Sequence, residues 1–167
     1  MKERTCCFIG HRKIEDTLEL RRELYDSIER LITDEKVDTF LLGSKSRFND
    51  LCYELLTAIK EKHPHIKRIY VRAEYSYIDD SYKEYLLKYY EDTYYPEKII
   101  GAGKAVYVER NCEMINNSRF CIFYYDEQNA PTTCKSGTKI ALAYDRRGTY
   151  CGQSQRNASG IFRYFTH

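Results

Sequence analysis

Short apolar runs of strand length recur along this chain. Each is closed by a turn and followed by a stretch with helical periodicity. No other feature constrains the fold as much. Residues 5–9 are apolar and end at Gly10. Residues 37–42 are apolar and end at Gly43, and residues 66–71 and 119–125 form two further runs. Between them, Leu20, Leu24, Ile28 and Leu31 recur at i, i+4, i+8 and i+11, which is one face of a helix. Asp16-Thr17-Leu18-Glu19 resembles a capping box at its start. Leu51, Cys52, Leu55, Leu56 and Ile59 mark a second helix, closed by His63-Pro64. Ser81-Tyr82-Lys83-Glu84 opens a tyrosine-rich helix running to about Tyr90, and Pro96 stops that segment. Residues 98–100 read as a short strand before Gly101-Ala102-Gly103, residues 106–116 and 139–147 as helices, and 161–165 as an edge strand.

Runs that are apolar throughout, rather than alternating, belong to strands covered on both faces. Alternating with amphipathic helices, they predict an α/β fold: a Rossmann-like three-layer sandwich with a mostly parallel sheet. The 167 residues carry no linker, repeat or low-complexity segment, so a single domain is expected, with a core over 5–147 and a polar tail over 148–167. With 43% hydrophobic and 31% charged residues, a core can form and disorder is excluded. A net charge of +2 supplies no basic field for nucleic acid or an anionic membrane. No apolar run approaches the roughly 18 residues that would span a bilayer. The opening Met1-Lys2-Glu3-Arg4 lacks the pattern of a signal peptide, which points to the cytoplasm.

Seven cysteines, an odd number, argue against a disulfide framework, and no CxxC pair suggests zinc. Cys6, Cys7 and Cys121 lie in strand-like runs and read as small buried hydrophobes. Cys134 precedes a predicted helix start, where a thiolate would be stabilised. No metal and no cofactor is expected.

In parallel sheets of this kind, ligands bind beyond the carboxyl ends of the strands. Three turns there carry weight: Gly10-His11-Arg12, the stretch from Gly43-Ser44 to Asp50, and Ser136-Gly137-Thr138. Glycine admits close backbone approach, and helix starts present free N–H groups, so together the turns could cradle a phosphate. Each turn alone is equally a tight strand-to-helix connection. Neither GxGxxG nor a Walker A sequence is present. His11 reads as a hydrogen-bonded loop residue rather than a general base. Asp50 shares a helix face with Glu54; it complements the helix dipole or accepts from ribose hydroxyls or an amino group. Tyrosine is abundant, with 17 residues, many of them crowded between Tyr70 and Tyr107. Such rings can stack on bases; without a basic field the preferred reading is rings packed inward with wet hydroxyls.

At these turns the chain resembles the YpsA-like group of the bacterial SLOG superfamily. Cys7-Phe8-Ile9-Gly10-His11-Arg12 is similar to the group's FxGHR opening. The stretch from Gly43 to Asp50 resembles its second turn, with Arg47 in place of a glycine and Asn49 intervening before Asp50. Val108-Glu109-Arg110-Asn111-Cys112-Glu113-Met114 resembles its helix-opening RN segment, and Ser136-Gly137-Thr138 its SGT turn. The segments stand in the family's order and span residues 5–147, whereas the polar stretch 150–159 departs from the family's apolar last strand.

The resemblance implies a Rossmann-like fold that binds a nucleotide or a nucleotide-derived small molecule, as a sensor or regulatory module. The implied ligand residues are Gly10, His11, Arg12, Gly43, Ser44, Asp50, Arg110, Asn111, Ser136, Gly137 and Thr138. Arg12 and Arg110 would pair with phosphate, and Asp50 with ribose or base. The superfamily also contains the LOG phosphoribohydrolases, which cleave the base from a nucleoside 5′-monophosphate. Those enzymes pair an arginine with a glutamate. Here Arg110 matches the first motif, but Ala141 stands at the glutamate's place. An N-glycosidase would therefore need a relocated carboxylate from Asp50, Glu54, Glu109 or Asp126. A third alternative follows a DNA-processing member of the superfamily; the low net charge speaks against nucleic acid as a partner. The tyrosine-rich segment could also form a homo-oligomer interface.

Overall fold

The structure is a computed structural model that describes residues 2–73 and 80–124, and the backbone of 161–165. In chain order the elements are β1 (Thr5–Ile9), α1 (Leu18–Thr33), β2 (Thr39–Leu42), α2 (Arg47–Lys62) and β3 (Lys67–Val71). Then come α3 (Asp80–Leu86), β4 (Asp92–Tyr94), α4 (Val106–Asn116), β5 (Phe120–Tyr124) and β6 (Ile161–Phe165). One sheet runs in the order β4-β3-β2-β1-β5-β6. The first five strands in that order are parallel, and β6 closes the edge antiparallel to β5, with Phe120 opposite Phe165 and Tyr124 opposite Ile161.

The alternation of side chains along each strand explains why the runs are apolar throughout. Cys6, Phe8, Phe40, Leu42, Phe120 and Ile122 face Leu24, Ile28, Leu51 and Leu55 of α1 and α2. The residues between them, Cys7, Ile9, Leu41 and Cys121, pack instead with Met114 and Ile115 of α4. The molecule is thus an α/β sandwich of three layers around a parallel sheet, the Rossmann-like architecture expected. Cys6, Cys7, Cys52 and Cys121 are buried free thiols, and burial pushes Cys6 and Cys52 well above the usual range. No described helix is long and apolar enough to cross a membrane.

Three local expectations change. The helix α1 is capped by Thr17, whose Oγ1 accepts from the Leu20 amide at 3.1 Å. Asp16 instead holds Arg21, with both contacts at 2.7 Å. The tyrosine-rich helix stops at Leu86, short of Tyr90. The Lys88 and Tyr89 amides bond to the carbonyls three residues back, tightening the chain out of the helix. Tyr90 then packs against Tyr53 and Tyr70 at ring distances of 5.0 and 5.2 Å, fixing where the chain must turn. The additional strand is β4 rather than residues 98–100. Thr93 aligns with Tyr70 and its hydroxyl donates to the Tyr70 carbonyl at 2.8 Å. Glu97–Ile99 is a single 3-10 turn in which Ile99 is buried while Ile100 points outward, so that segment has one anchor and no ladder. The predicted helix at 139–147, and the tail before Ile161, lie outside the described residues.

Candidate functional site

The strand order reverses at β1, with β2, β3 and β4 on one side and β5 on the other. Their carboxyl ends therefore flank a switch point, the place where open parallel sheets bind ligands. Gly10-His11-Arg12 leaves β1 there. A Cβ on Gly10 would lie 2.2 Å from a ring carbon of Phe48, which sits in the first turn of α2 and is fully buried. This glycine makes room for an internal ring. His11 is buried and meets Tyr124 edge-on at 5.6 Å, and Tyr124 meets Phe48 at 5.8 Å. These rings form a packed floor between β1 and β5. Arg12 is exposed, and its carbonyl accepts the Arg47 amide at 2.9 Å, tying the first turn to the second.

The second turn is built by α2. Ser46 caps that helix by accepting from the Asn49 amide at 3.1 Å. Buried Asn49 turns its side-chain oxygen toward the Gly43 amide at 3.4 Å. A Cβ on Gly43 would stand 2.7 Å from the Val71 carbonyl and 3.0 Å from Nη1 of Arg110. Arg110 reaches over from α4 and is only 4% exposed. Its Nη1 donates to the Gly43 carbonyl and, at 3.4 Å, to that of Val71. Its Nε donates to Asn111 Oδ1 at 2.9 Å. Gly43, Arg110 and Asn111 are thus brought together, and this guanidinium is engaged with the backbone at the ends of β2 and β3. Arg47 clamps Asp16 and Glu54 and is joined there by Arg21.

Ser44 and Asp50 lie elsewhere. With Lys45 they rim an open cleft of about 270 Å³ between α2, β3 and α3. Its walls are tyrosines: Tyr53 from α2, Tyr70 from β3, Tyr82 and Tyr85 from α3, and Tyr89 and Tyr90 from the turn beyond. Tyr82 and Tyr85 are near-parallel, 14° apart, and Tyr85 continues to Tyr89 at 5.2 Å. Lys45 Nζ lies 5.9 Å from the Tyr82 ring centre. The Tyr53 hydroxyl donates to the Tyr89 carbonyl at 3.0 Å, joining α2 to the far wall. Partial burial raises the Asp50 carboxyl; Arg47 opposes that and Glu54 adds to it. Tyr85 and Tyr89 remain about half exposed, at 53% and 47%, while Tyr70 is buried. The tyrosine run therefore has both characters weighed from the sequence: some rings packed inward, others presented to a cleft.

The expected site residues fall into separate groups: Gly10 and His11 at the switch point, Gly43 with Arg110 and Asn111 beneath the strand ends, and Ser44 with Asp50 on the tyrosine cleft. Ser136, Gly137 and Thr138 lie outside the described residues, as do Asp126, Cys134 and Ala141. Lys45 and the tyrosines were missed as site residues, although the aromatic crowding was the signal for them. Arg72 directly follows β3, a strand end to which the carboxyl-end rule also applies, and stands outside the lining of the cleft.

No family model matches the chain, and no curated protein matches it either. The SLOG resemblance accordingly rests on the motif residues alone.

Proposed function

We propose that this chain is a nucleotide-binding module whose ligand places its base in the tyrosine cleft at the carboxyl edge of β2 and β3. The observation that carries this reading is the cleft itself: aromatic faces on two walls, with Lys45, Ser44 and Asp50 on one rim. Tyrosine offers a broad stacking face at low conformational cost, and every base has a face to stack. Asp50 accepts from an exocyclic amine or a ribose hydroxyl. Lys45 supplies a cation beside the rings. About 270 Å³ is close to the lower end of small-molecule sites and suits a nucleoside-sized occupant. The resemblance at the strand-end turns supports the same ligand class, and with it a sensor or regulatory role.

Binding is favoured over N-glycoside cleavage. Glu54, one of the carboxylates available to replace the LOG glutamate, is held between Arg47 and Arg21 below the usual carboxylate range. The test is a thermal-shift and calorimetry panel of nucleosides, nucleotides and sugar nucleotides, beside mass spectrometry of small molecules that copurify. The expected result is a stabilising member of the panel whose effect is lost in Tyr82→Ala. A panel with no stabilising member and a protein that carries nothing would overturn the reading.

A further inference from the structure

Arg68, Arg72 and Arg110 are all drawn inward at β3 and its neighbours, but their donors are used differently. Arg68 is met by Glu91 at 2.8 Å and by the Thr57 hydroxyl at 2.8 Å. Arg110 is met by Gly43, Val71 and Asn111. Arg72 differs from both. Among the described residues, its Nε is the buried side-chain nitrogen that has no hydrogen-bond partner.

The position of Arg72 gives this meaning. Its amide donates to the Tyr94 carbonyl at 2.8 Å, so its backbone still follows the β3–β4 ladder. Strand alternation then places its side chain on the face of Tyr70, which lines the cleft, and opposite Val71. It stands at the carboxyl end of β3, beside the end of β2 from which Ser44 and Lys45 emerge. A buried N–H without an acceptor costs the free energy of its lost hydration, and a charged one costs more. Among the described residues, the donors of the other inward arginines are met and Nε of Arg72 is not, which leaves a place for an acceptor brought by a ligand. The guanidinium fork matches a phosphate in two-point contact.

We propose that Arg72 is the anion anchor of this site, so that the ligand is a nucleoside phosphate with its phosphate on Arg72 and its base among the tyrosines. The identity of the base-bearing part rests on the nucleotide reading above; the anion site does not.

The experiment titrates the common nucleosides, their 5′-monophosphates and inorganic phosphate into the wild-type chain, Arg72→Gln and Arg72→Lys. In the wild type a monophosphate binds about tenfold or more tighter than its nucleoside. Arg72→Gln brings that ratio close to one and leaves nucleoside affinity alone, whereas Arg72→Lys keeps part of it. A ratio unchanged in Arg72→Gln overturns the anchor while the nucleotide reading stands. If neither nucleosides nor nucleotides bind, the nucleotide reading fails, and the phosphorus NMR signal of inorganic phosphate decides the anchor. Broadening that disappears in Arg72→Gln upholds an anion site, and its absence in the wild type overturns it. Melting temperature gives an independent check. An anchor waiting for its ligand loses no protein partner in Arg72→Gln, so the unliganded variant melts with the wild type; a clear drop would make Arg72 structural and overturn the proposal.

Discussion

Arg110 Nη1 donates to the backbone carbonyl of Gly43, 67 residues earlier in the chain. The contact reaches from α4 to the end of β2, and the same nitrogen reaches Val71 at the end of β3. Strands leaving a sheet expose carbonyls that no neighbour meets, and here a buried guanidinium meets two of them. Arg110→Met should therefore cost stability whatever it does to ligand binding. Leaving buried carbonyls unmet costs roughly 2–4 kcal/mol in all. Urea unfolding of the variant checks this, and an unchanged midpoint would show that the contact carries little. Gly43→Ala should destabilise by a similar route, since its Cβ would crowd Val71 and Arg110.

A second glycine makes a sharper case. In Gly10→Ala the new methyl would lie within 2.8 Å of three Phe48 carbons, and Phe48 is fully buried and cannot swing out. Overpacking of this kind costs about 1–3 kcal/mol. Gly10→Ala combined with Phe48→Leu should be less damaged than the sum of the single changes, because the branched side chain vacates the ring's volume. A double-variant cycle by thermal unfolding measures that difference, and strict additivity would contradict the packing role given to Gly10.

The Arg68–Glu91 pair sets an acid limb of stability. Burial favours the neutral acid at Glu91. The Arg68 side-chain and backbone hydrogen bonds, with the charges of Arg68 and Lys60, overcome it and hold the carboxyl down to about 2, from an ordinary 4.5. A carboxyl depressed on folding contributes stability that is complete above its unfolded value and is lost as pH falls through its folded one. The window here is thus from about 4.5 down to about 2. With Glu91 28% exposed, screening leaves about 2 kcal/mol of this at neutral pH. Glu91→Gln should be less stable than the wild type at pH 7, and the gap should close toward pH 2.5. Paired denaturation curves across that range decide it; a gap independent of pH would remove Glu91 as the source.

How much of this was legible in the sequence depends on what each segment must bury. The runs at Thr5–Ile9 and Phe120–Tyr124 are buried at every position, so both faces wrote themselves into an apolar string. Asp92–Tyr94 buries only its central Thr93, and an edge strand with one buried residue leaves no such string. Ile99 and Ile100 looked more strand-like, yet only one of them has anything to pack on. The carboxyl-end rule pointed to Gly43, Ser44 and Arg12, and the resemblance to Arg110; the structure places Ser44 on the cleft, Gly43 with Arg110 at the strand ends, and Arg12 on the surface. That Arg110 turns to carbonyls is a fact of where β2 and β3 stop, which no spacing encodes. Which tyrosines line the cleft depended on α3 ending at Leu86, and a short i-to-i+3 turn has no signature in hydrophobic period.

Arg47 opens α2, and its surroundings say what it does. It reaches Glu54 at 2.8 Å and also Asp16, while Arg21 holds the same two carboxylates at 2.7 and 3.0 Å. The four side chains staple the loop after β1 to α1 and to the start of α2, beside the candidate site. Hydrogen bonds from Arg21 and then Arg47 hold Asp16 below the usual range, and those from Arg47 and then Arg21 do the same for Glu54; burial opposes both. All four side chains are partly exposed, so the network is screened, and Arg47→Gly should cost only about 1 kcal/mol at low salt. Raising the salt toward about 0.5 M should shrink that difference, since screening weakens exposed pairs. The contribution of the two carboxylates is present above their ordinary values of 3.8 and 4.5 and fades as pH falls through their lowered ones. Wild-type and Arg47→Gly unfolding, measured at two salt concentrations and at pH 7 and pH 3, tests both dependences. A penalty that ignores salt and pH alike would mean that Arg47 acts through its place in the helix rather than through its charge.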